Sequence, residues 1–247
     1  MLSRILVIDD EENIRYTFKS FLSDEGYQVT TVGSLQEGRD LLAQQNFDLV
    51  FLDILLGRES GLDILREVRQ KGLPCLVVMI TGAPDVETAA EAVRYGAFDY
   101  IPKPVQQQNL LRVARAALEH KALLQEKETF RLRLEGLFRC AREGIFITDR
   151  ELRIVEMNDA ARRIFQCEDA VVGKTFDELG DSREFATLKK FCDIVRSRFE
   201  GEIYRIEDLA PDGVSRLLSL TSSPLTTEDG ADYGYVLVVR EESEASG

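Results

Sequence analysis

Four segments of the chain place a charged or hydroxyl-bearing side chain at the end of an apolar run. These side chains are Asp9 and Asp10 after "RILVI", Asp53 in "LVFLD", Thr81 in "LVVMIT" and Lys103 after "DYIP". Three nearby carboxylates resist being ionised together, and a hard divalent cation such as Mg²⁺ relieves that repulsion. With positive charge from a metal and from Lys103, Asp53 could attack a phosphoryl group as a nucleophile, while the hydroxyl of Thr81 bonds a phosphoryl oxygen. The residue types therefore predict a metal-assisted phosphoryl site, provided that the fold brings them together.

The elements that would position these residues alternate along the first half of the chain. Five strand-like runs alternate with five helix-like segments over residues 1–122. This alternation predicts an α/β fold with a five-stranded, doubly wound parallel sheet of the flavodoxin-like kind, in the order 2-1-3-4-5. The crevice of such a sheet lies beyond the carboxyl ends of its first and third strands. Asp9 and Asp10 end the first strand and Asp53 ends the third, so the topology predicts that the three carboxylates meet.

Each of these residues also has an ordinary structural interpretation. Asp9 and Asp10 could cap the first helix, and Thr81 could cap the fourth. Lys103 could be a solvated loop charge. The joint occurrence of all these residues at strand ends favours the functional interpretation.

The segments "ILVIDDEE", "LVFLDILLGRESG", "MITGAPD" and "GAFDYIPKP" together closely resemble the receiver domain of bacterial two-component response regulators. The resemblance covers residues 1–122. It implies that Asp53 is the phosphoacceptor and that Asp9 and Asp10 are ligands of Mg²⁺, with the backbone carbonyl of Leu55 as a further ligand.

The same resemblance implies a conformational switch. Thr81 and Tyr100 are expected to be the switch pair, although Tyr100 could also be plain core. Lys103, with a cis bond to Pro104, is expected to sense the phosphoryl group. Phosphorylation would draw Thr81 towards the new oxygens, and Tyr100 would turn into the space left. The face formed by the fourth helix, fifth strand and fifth helix would then change.

Two functions from different classes follow from this site. The first is phosphorelay signalling, in which a histidine kinase is the phosphodonor and the receiver promotes only its own phosphorylation and dephosphorylation, so that the protein is not an enzyme. The second is an aspartyl-phosphate phosphatase. Related doubly wound phosphatases carry the nucleophile on the first strand, whereas Asp53 ends the third, which favours signalling.

A long helix is predicted from Gln107 to about Arg142, with residues 123–142 as a linker between two domains. The apolar stripe from Leu110 to Leu124 would suit pairing with a second copy of the chain, so a homodimer is expected; a single exposed connector is the alternative, because no strict heptad is sustained. His120 lacks the acidic neighbour and the following proline of a kinase phosphoacceptor box, so it is expected to be a solvated helix residue.

Residues 143–247 change the pattern to two strands, several helices and three more strands, which predicts an α+β domain with an antiparallel sheet. A helix is predicted over residues 182–201 and a turn at "APDG". The segments "EGIFITDRELRIVEMNDAA", "VVGKTFDEL" and "YVLVVREESE" resemble a PAS domain. That family senses small ligands or dimerises. Haem and flavin are not expected here, because the only histidine lies in the linker and the cysteine segment of photoactive flavin members is absent.

The net charge of −13 argues against binding of nucleic acid or of an anionic membrane. The four cysteines form no CxxC pair and are expected to be reduced, partly buried thiols in a cytoplasmic protein. The output is expected to be a protein contact. The alternative is that the chain is the regulatory portion of a larger hybrid histidine kinase or of an AAA+-type transcriptional activator.

Overall fold

A computed structural model describes residues 2–57, 59–82, 86–167, 171–179, 189, 203–209, 215–227 and 229–242. The chain divides into two compact units, Met1–Thr129 and Phe130–Gly247. The predicted domain boundaries at residues 122 and 142 stay predictions. The predicted helix over residues 182–201, which contains Cys192, and the predicted "APDG" turn lie outside the described residues.

The described residues of the first unit form a parallel five-stranded sheet, four complete helices and the first part of a fifth helix that continues past Thr129. The sheet order is β2-β1-β3-β6-β7, so the predicted 2-1-3-4-5 order is confirmed. Two two-residue strands, β4 and β5, form a small hairpin that the sequence pattern did not predict. The elements are β1 (Arg4–Ile8), α1 (Glu12–Asp24), β2 (Gln28–Val32), α2 (Leu35–Gln44), β3 (Leu49–Asp53), β4 (Leu55–Leu56), β5 (Glu59–Ser60), α3 (Gly61–Gln70), β6 (Leu76–Thr81), α4 (Val86–Arg94), β7 (Asp99–Pro102) and α5 (Gln107–Cys140).

The central strands are apolar on both faces because helices cover both sides of the sheet. Leu6 and Ile8 of β1 pack into one cluster with α2 and α3. Ile5 and Val7 of the same strand pack into a second cluster with α1 and α5. Alternating side chains of one strand thus face opposite layers, which explains why these strands lack a polar alternation.

The first part of α5 belongs to the core of the first unit. Leu110, Ala114 and Ala117 are buried against the sheet, and Leu111 and Leu118 pack against the same cluster. The prediction that the stripe from Leu110 onwards pairs with a second copy is therefore wrong for its first half, because this face is already occupied. The exposed apolar side chains of the helix lie further along it and are Leu123, Leu124, Phe130, Leu132, Leu134 and Leu137.

The second unit contains an antiparallel five-stranded sheet in the order β10-β11-β12-β8-β9. Asn158 caps α6, since its Oδ1 accepts hydrogen bonds from the N–H groups of Ala161 and Ile145, each at 2.9 Å. Phe146 and Leu237 lie in the core between the sheet and α6. The elements are β8 (Gly144–Thr148), β9 (Ile154–Met157), α6 (Asp159–Phe165), β10 (Tyr204–Leu209), β11 (Ser215–Thr226) and β12 (Asp232–Glu242).

The described cysteines are free thiols, but they differ in exposure. Cys75 and Cys167 are buried, as expected, whereas Cys140 at the end of α5 is exposed, so the expectation of burial is wrong for Cys140. His120 is exposed on α5, with its ring centroid 5.5 Å from that of Phe98. Within the described ranges, no helix has both the length and the apolar character that a bilayer crossing needs.

Candidate functional site

Three carboxylates converge at the carboxyl end of the parallel sheet. Carboxylate oxygens of Asp9, Asp10 and Asp53 all lie within 4.8 Å of one another. They meet because β1 and β3 are neighbours with Ile8 opposite Leu52, so the residues that follow lie side by side. Asp9 is fully buried and Asp53 is 4% exposed, whereas Asp10 faces solvent. The sequence pattern therefore located this cluster correctly.

Lys103 projects into the cluster from the end of β7. Its Nζ lies 2.8 Å from Oδ2 of Asp53, 2.9 Å from Oδ2 of Asp9 and 2.7 Å from Oε1 of Glu11. The contact with Asp9 is an ion pair without hydrogen-bond geometry. Only 12% of the Lys103 side chain is exposed, so it is not a solvated loop charge. The expected cis bond between Lys103 and Pro104 is present.

Burial and pairing shift the protonation of two of these groups. Burial raises the pKa of Asp9, and the nearby ammonium of Lys103 offsets only part of that shift. Burial alone would lower the pKa of Lys103, but its contacts with Asp53, Glu11 and Asp9 outweigh burial and raise that pKa above the ordinary lysine value. Lys103 is therefore charged at neutral pH. The ionised carboxylate of Asp9 is in an unfavourable environment, and a further cation would stabilise it.

The backbone around the cluster is held by residues to which the sequence assigned no role. Nη1 of Arg15 donates hydrogen bonds to the carbonyl oxygens of Asp9 and Asp10, each at 2.8 Å. A Cβ at Gly61 would lie 2.0 Å from the carbonyl oxygen of Asp53, so only glycine fits there. The position of Arg15 on the first turns of α1, beside the strand end, was the available signal for its role. The close approach of Gly61 to the carbonyl oxygen of Asp53 had no signal in the sequence, because it depends on how α3 packs.

Asp9 and Asp10 do not cap α1. The N-cap residue is Glu11, whose side chain makes no capping hydrogen bond. Instead Oδ1 of Asp9 accepts the N–H of Glu11 at 2.9 Å, and Oδ2 of Asp10 accepts the N–H of Gly57 at 3.2 Å. Each of these two carboxylates is thus oriented by one hydrogen bond from a backbone N–H.

The remaining predicted residues lie around Asp53. The N–H of Leu55 donates to Oδ1 of Asp53 at 3.2 Å. Thr81 is the last residue of β6, is 1% exposed and accepts the N–H of Lys103 at its carbonyl at 2.6 Å. Tyr100 lies on β7, and its hydroxyl is buried without a hydrogen-bond partner among the described residues. A buried, unsatisfied hydroxyl is energetically unfavourable.

The donor set fits a hard divalent cation. Asp9, Asp10 and Asp53 offer only oxygen atoms, which Mg²⁺ prefers, and Glu11 adds a fourth carboxylate around a single ammonium. The cluster therefore carries an excess of negative charge, part of it buried.

The two halves of the chain match two families. Residues 5–115 match the response regulator receiver domain, and residues 142–244 match the PAS domain. The chain is a receiver domain followed by a PAS domain. The receiver assignment agrees with the parallel sheet and with the strand-end carboxylates, and the PAS assignment agrees with the antiparallel sheet.

Several regulators resemble parts of this chain that differ in length. The alginate biosynthesis transcriptional regulatory protein AlgB of Pseudomonas putida is 39% identical over 142 residues, which are 58% of this chain and 31% of that protein. The transcriptional regulatory protein DltR of Streptococcus agalactiae is 25% identical over 200 residues, 79% of this chain and 89% of that protein. The crystal structure of NtrX from Brucella abortus is 38% identical, with a TM-score of 0.51, and the match covers 55% of this chain and 30% of that one. This chain thus spans about a third of the length of the AlgB and NtrX proteins.

Proposed function

We propose that the receiver accepts a phosphoryl group on Asp53 in two-component phosphorelay signalling. The observation that carries this proposal is the surroundings of Asp53. Its carboxylate is nearly buried, one oxygen lies 2.8 Å from the ammonium of Lys103, and two other carboxylates are within 4.8 Å. Among the described carboxylates Asp9 shares the burial and the acidic neighbours, but only Asp53 also accepts a hydrogen bond from Nζ of Lys103, whereas the contact of Lys103 with Asp9 lacks hydrogen-bond geometry.

The transfer step follows from this geometry. A carboxylate oxygen of Asp53 attacks the phosphorus of a phosphohistidine on a partner kinase, the bond from phosphorus to the histidine nitrogen breaks, and that nitrogen keeps the electron pair. Lys103 then pairs with an oxygen of the acyl phosphate instead of with the free carboxylate. Mg²⁺, held by Asp9, Asp10, Asp53 and the carbonyl of Leu55, would supply the positive charge that the phosphoryl oxygens require.

Phosphorylation then acts as a switch through Thr81 and Tyr100. The phosphoryl group adds a charge of about −1.5 to −2 and three acceptor oxygens next to Thr81. Movement of the Thr81 hydroxyl towards these oxygens would open space for the ring of Tyr100, and would let its hydroxyl reach a hydrogen-bond partner, which it lacks among the described residues. The readout is a shift between two conformations of the β7 surface and not turnover of an external substrate.

Phosphorylation by a small donor tests the assignment. Full-length protein incubated with acetyl phosphate and Mg²⁺ should gain the mass of one phosphate, and Asp53→Asn should gain none. Asp63→Asn is the matched control, because Asp63 is an exposed carboxylate whose ion pair among the described residues is with Arg66 at 3.0 Å. Equal labelling of Asp53→Asn and wild type would show that another residue accepts the phosphate. Rapid turnover of an exogenous phosphomonoester would instead favour a phosphatase.

We further propose that the PAS half pairs two copies of the chain. Phe130, Leu134 and Leu137 repeat at spacings of four and three residues and are 61%, 50% and 71% exposed, which is the pattern of a coiled-coil seam. A groove of about 690 Å³ continues this apolar face on to Ile145 and Ile147 of β8. The continuous helix α5 would let a change in the receiver reach this seam as a rotation or a shift of register.

Sedimentation of matched variants tests this pairing. Leu137→Glu should shift the full chain towards monomer. Leu132→Glu should not, because Leu132 is 55% exposed but lies about 200° around the helix from Phe130. A wild-type chain that is monomeric with and without acetyl phosphate would refute the pairing without affecting the assignment of Asp53.

A further inference from the structure

A cavity of about 510 Å³ in the PAS domain gathers four arginines. Its described lining comprises Arg142, Arg163, Arg216 and Arg240, together with Glu143, Glu241, Ala160 and Ile164. Among the described residues of the lining, four guanidinium groups stand against two carboxylates, a surplus of two positive charges. This local excess stands out in a chain whose net charge is −13.

Three of the arginines meet because the sheet is antiparallel. Strands β11, β12 and β8 are neighbours, with Val239 opposite Gly144 and Glu241 opposite Leu218. The start of β11, the end of β12 and the residues before β8 therefore lie at one edge of the sheet. Arg216, Arg240 and Arg142 occupy these three positions.

Helix α6 brings the fourth arginine. The helix packs so closely on β8 that a Cβ at Gly144 would lie 3.1 Å from Cα of Ala161. Ala160, Arg163 and Ile164 share one face of α6, at spacings of three and four residues. Through this face, the side chain of Arg163 and the apolar side chains of Ala160 and Ile164 line the cavity.

Three of the four cavity arginines are not neutralised by the described part of the chain. Within the described part of the chain, the side chains of Arg142, Arg163 and Arg240 make no hydrogen bond and no ion pair. Arg216 is 11% exposed, and its Nη1 lies 3.9 Å from Oε1 of Glu241. By contrast Arg162, next to Arg163 on the same helix, pairs with Asp159 at 3.0 Å.

We propose that this cavity binds a small organic anion with at least two negative charges, such as a dicarboxylate, a tricarboxylate or a phosphate monoester. Guanidinium groups form paired hydrogen bonds with carboxylate and phosphate oxygens, and several converging arginines suit a ligand with more than one anionic group. Ala160 and Ile164 would contact its carbon skeleton. The volume lies within the range of about 300–1,000 Å³ that is usual for small-molecule sites. This inference does not depend on the chemistry of Asp53.

Thermal unfolding of the full chain in citrate, succinate and glycerol 3-phosphate tests the proposal. The experiment is run without Mg²⁺, because citrate chelates it, and at constant ionic strength, with acetate as the singly charged comparison. We expect at least one polyanion to raise the Tm of wild type in a saturable way while acetate does not. Arg163→Gln and Arg240→Gln should each weaken the apparent Kd by roughly tenfold, the effect of losing one charge-assisted hydrogen bond.

Arg162→Gln is the matched control and should retain wild-type affinity, because Arg162 does not line the cavity. Two results would overturn the proposal. One is the absence of saturable stabilisation by all three polyanions. The other is equal stabilisation of wild type, Arg163→Gln and Arg240→Gln, which would indicate a general salt effect. Because these two arginines lie on different elements, a folding defect in one variant leaves the other as the test.

Discussion

The acidic cluster of the receiver and the arginine-lined cavity of the PAS domain both form at a sheet edge, but their charges are unbalanced in opposite directions. In the receiver, one ammonium is shared by Asp9, Glu11 and Asp53, and negative charge remains in excess. In the described lining of the PAS cavity, the guanidinium groups outnumber the carboxylates. The sign of the unbalanced charge indicates the sign of the ligand, which is a cation for the first site and an anion for the second. Variants that change either balance test this comparison.

The largest effect should come from Lys103→Met. Loss of the Lys103 ammonium should slow phosphorylation by acetyl phosphate by about 100-fold or more, because a preorganised charge at the phosphoryl oxygens is lost. The same variant should bind Mg²⁺ more tightly, since the cation no longer competes with Lys103. Intact mass and calorimetry measure the two effects. Lys71→Met, on an exposed pair with Glu67 at 3.6 Å, should change neither. Weaker Mg²⁺ binding would contradict the charge argument.

The next effect concerns Asp48 and Lys121, a balanced pair that lies at the opposite end of β3 from Asp53. Nζ of Lys121 lies 2.6 Å from Oδ1 of Asp48, whose Oδ2 accepts the N–H of Arg4 at 2.7 Å. Asp48→Asn should lower the free energy of unfolding by about 1–3 kcal/mol, because Lys121 is left buried and poorly paired. Urea unfolding of the full chain measures the loss.

The shifted pKa of Asp48 determines how this loss of unfolding free energy depends on pH. Burial alone would raise the pKa of Asp48, but Lys121 and the N–H of Arg4 lower it below its ordinary value of 3.8. The stabilisation is therefore fully present above pH 3.8 and is lost as pH falls through the lower pKa of the folded state. A difference between wild type and Asp48→Asn that persists in acid, below both pKa values, would refute the ion-pair explanation.

A smaller change in the opposite direction is expected for Asp9→Asn. Burial raises the pKa of Asp9, so the ionised group lowers the stability of the metal-free protein at neutral pH. The variant should be more stable than wild type by about 0.5–2 kcal/mol at pH 7. The penalty of wild type is absent below the ordinary pKa of 3.8 and grows as pH rises through the folded-state pKa, so the gain should vanish in acid. Mg²⁺ should stabilise wild type and not this variant, and an unstable variant would contradict the prediction.

The smallest effect should be that of Glu11→Gln. Glu11 is 60% exposed, so its ion pair with Lys103 contributes less than about 1 kcal/mol. Without this ion pair, the ammonium of Lys103 is more available to the phosphoryl group. Labelling of Asp53 should therefore accelerate, by less than about fivefold. Stopped time courses with acetyl phosphate measure the rate. A loss of labelling as large as that of Lys103→Met would mean that Glu11 belongs to the reacting site.

The receiver site could be predicted from the sequence because a parallel sheet carries all its strand ends to one edge. Asp9, Asp53 and Lys103 each follow an apolar run, so the topology alone predicted their meeting. The roles of Glu11 and Arg15 were not predicted, because they depend on the direction of long side chains at the start of α1. The apolar stripe of α5 was detected, but its first half was assigned to the wrong partner. Periodicity shows that a helix face is apolar without showing what covers it.

The sequence by itself determined the two fold classes, the order of the parallel sheet and the cluster of carboxylates, because local hydrophobic patterns fix which residues end a strand. Only the tertiary structure decided which side chains lie together at the end of the second sheet. Arg142, Arg163, Arg216 and Arg240 lie up to 98 positions apart and follow no shared pattern. An antiparallel sheet brings strand beginnings and strand ends to the same edge. Three of these side chains could therefore be placed together only once the register of β11, β12 and β8 was known. The fourth, Arg163, also required the packing of α6 on Gly144.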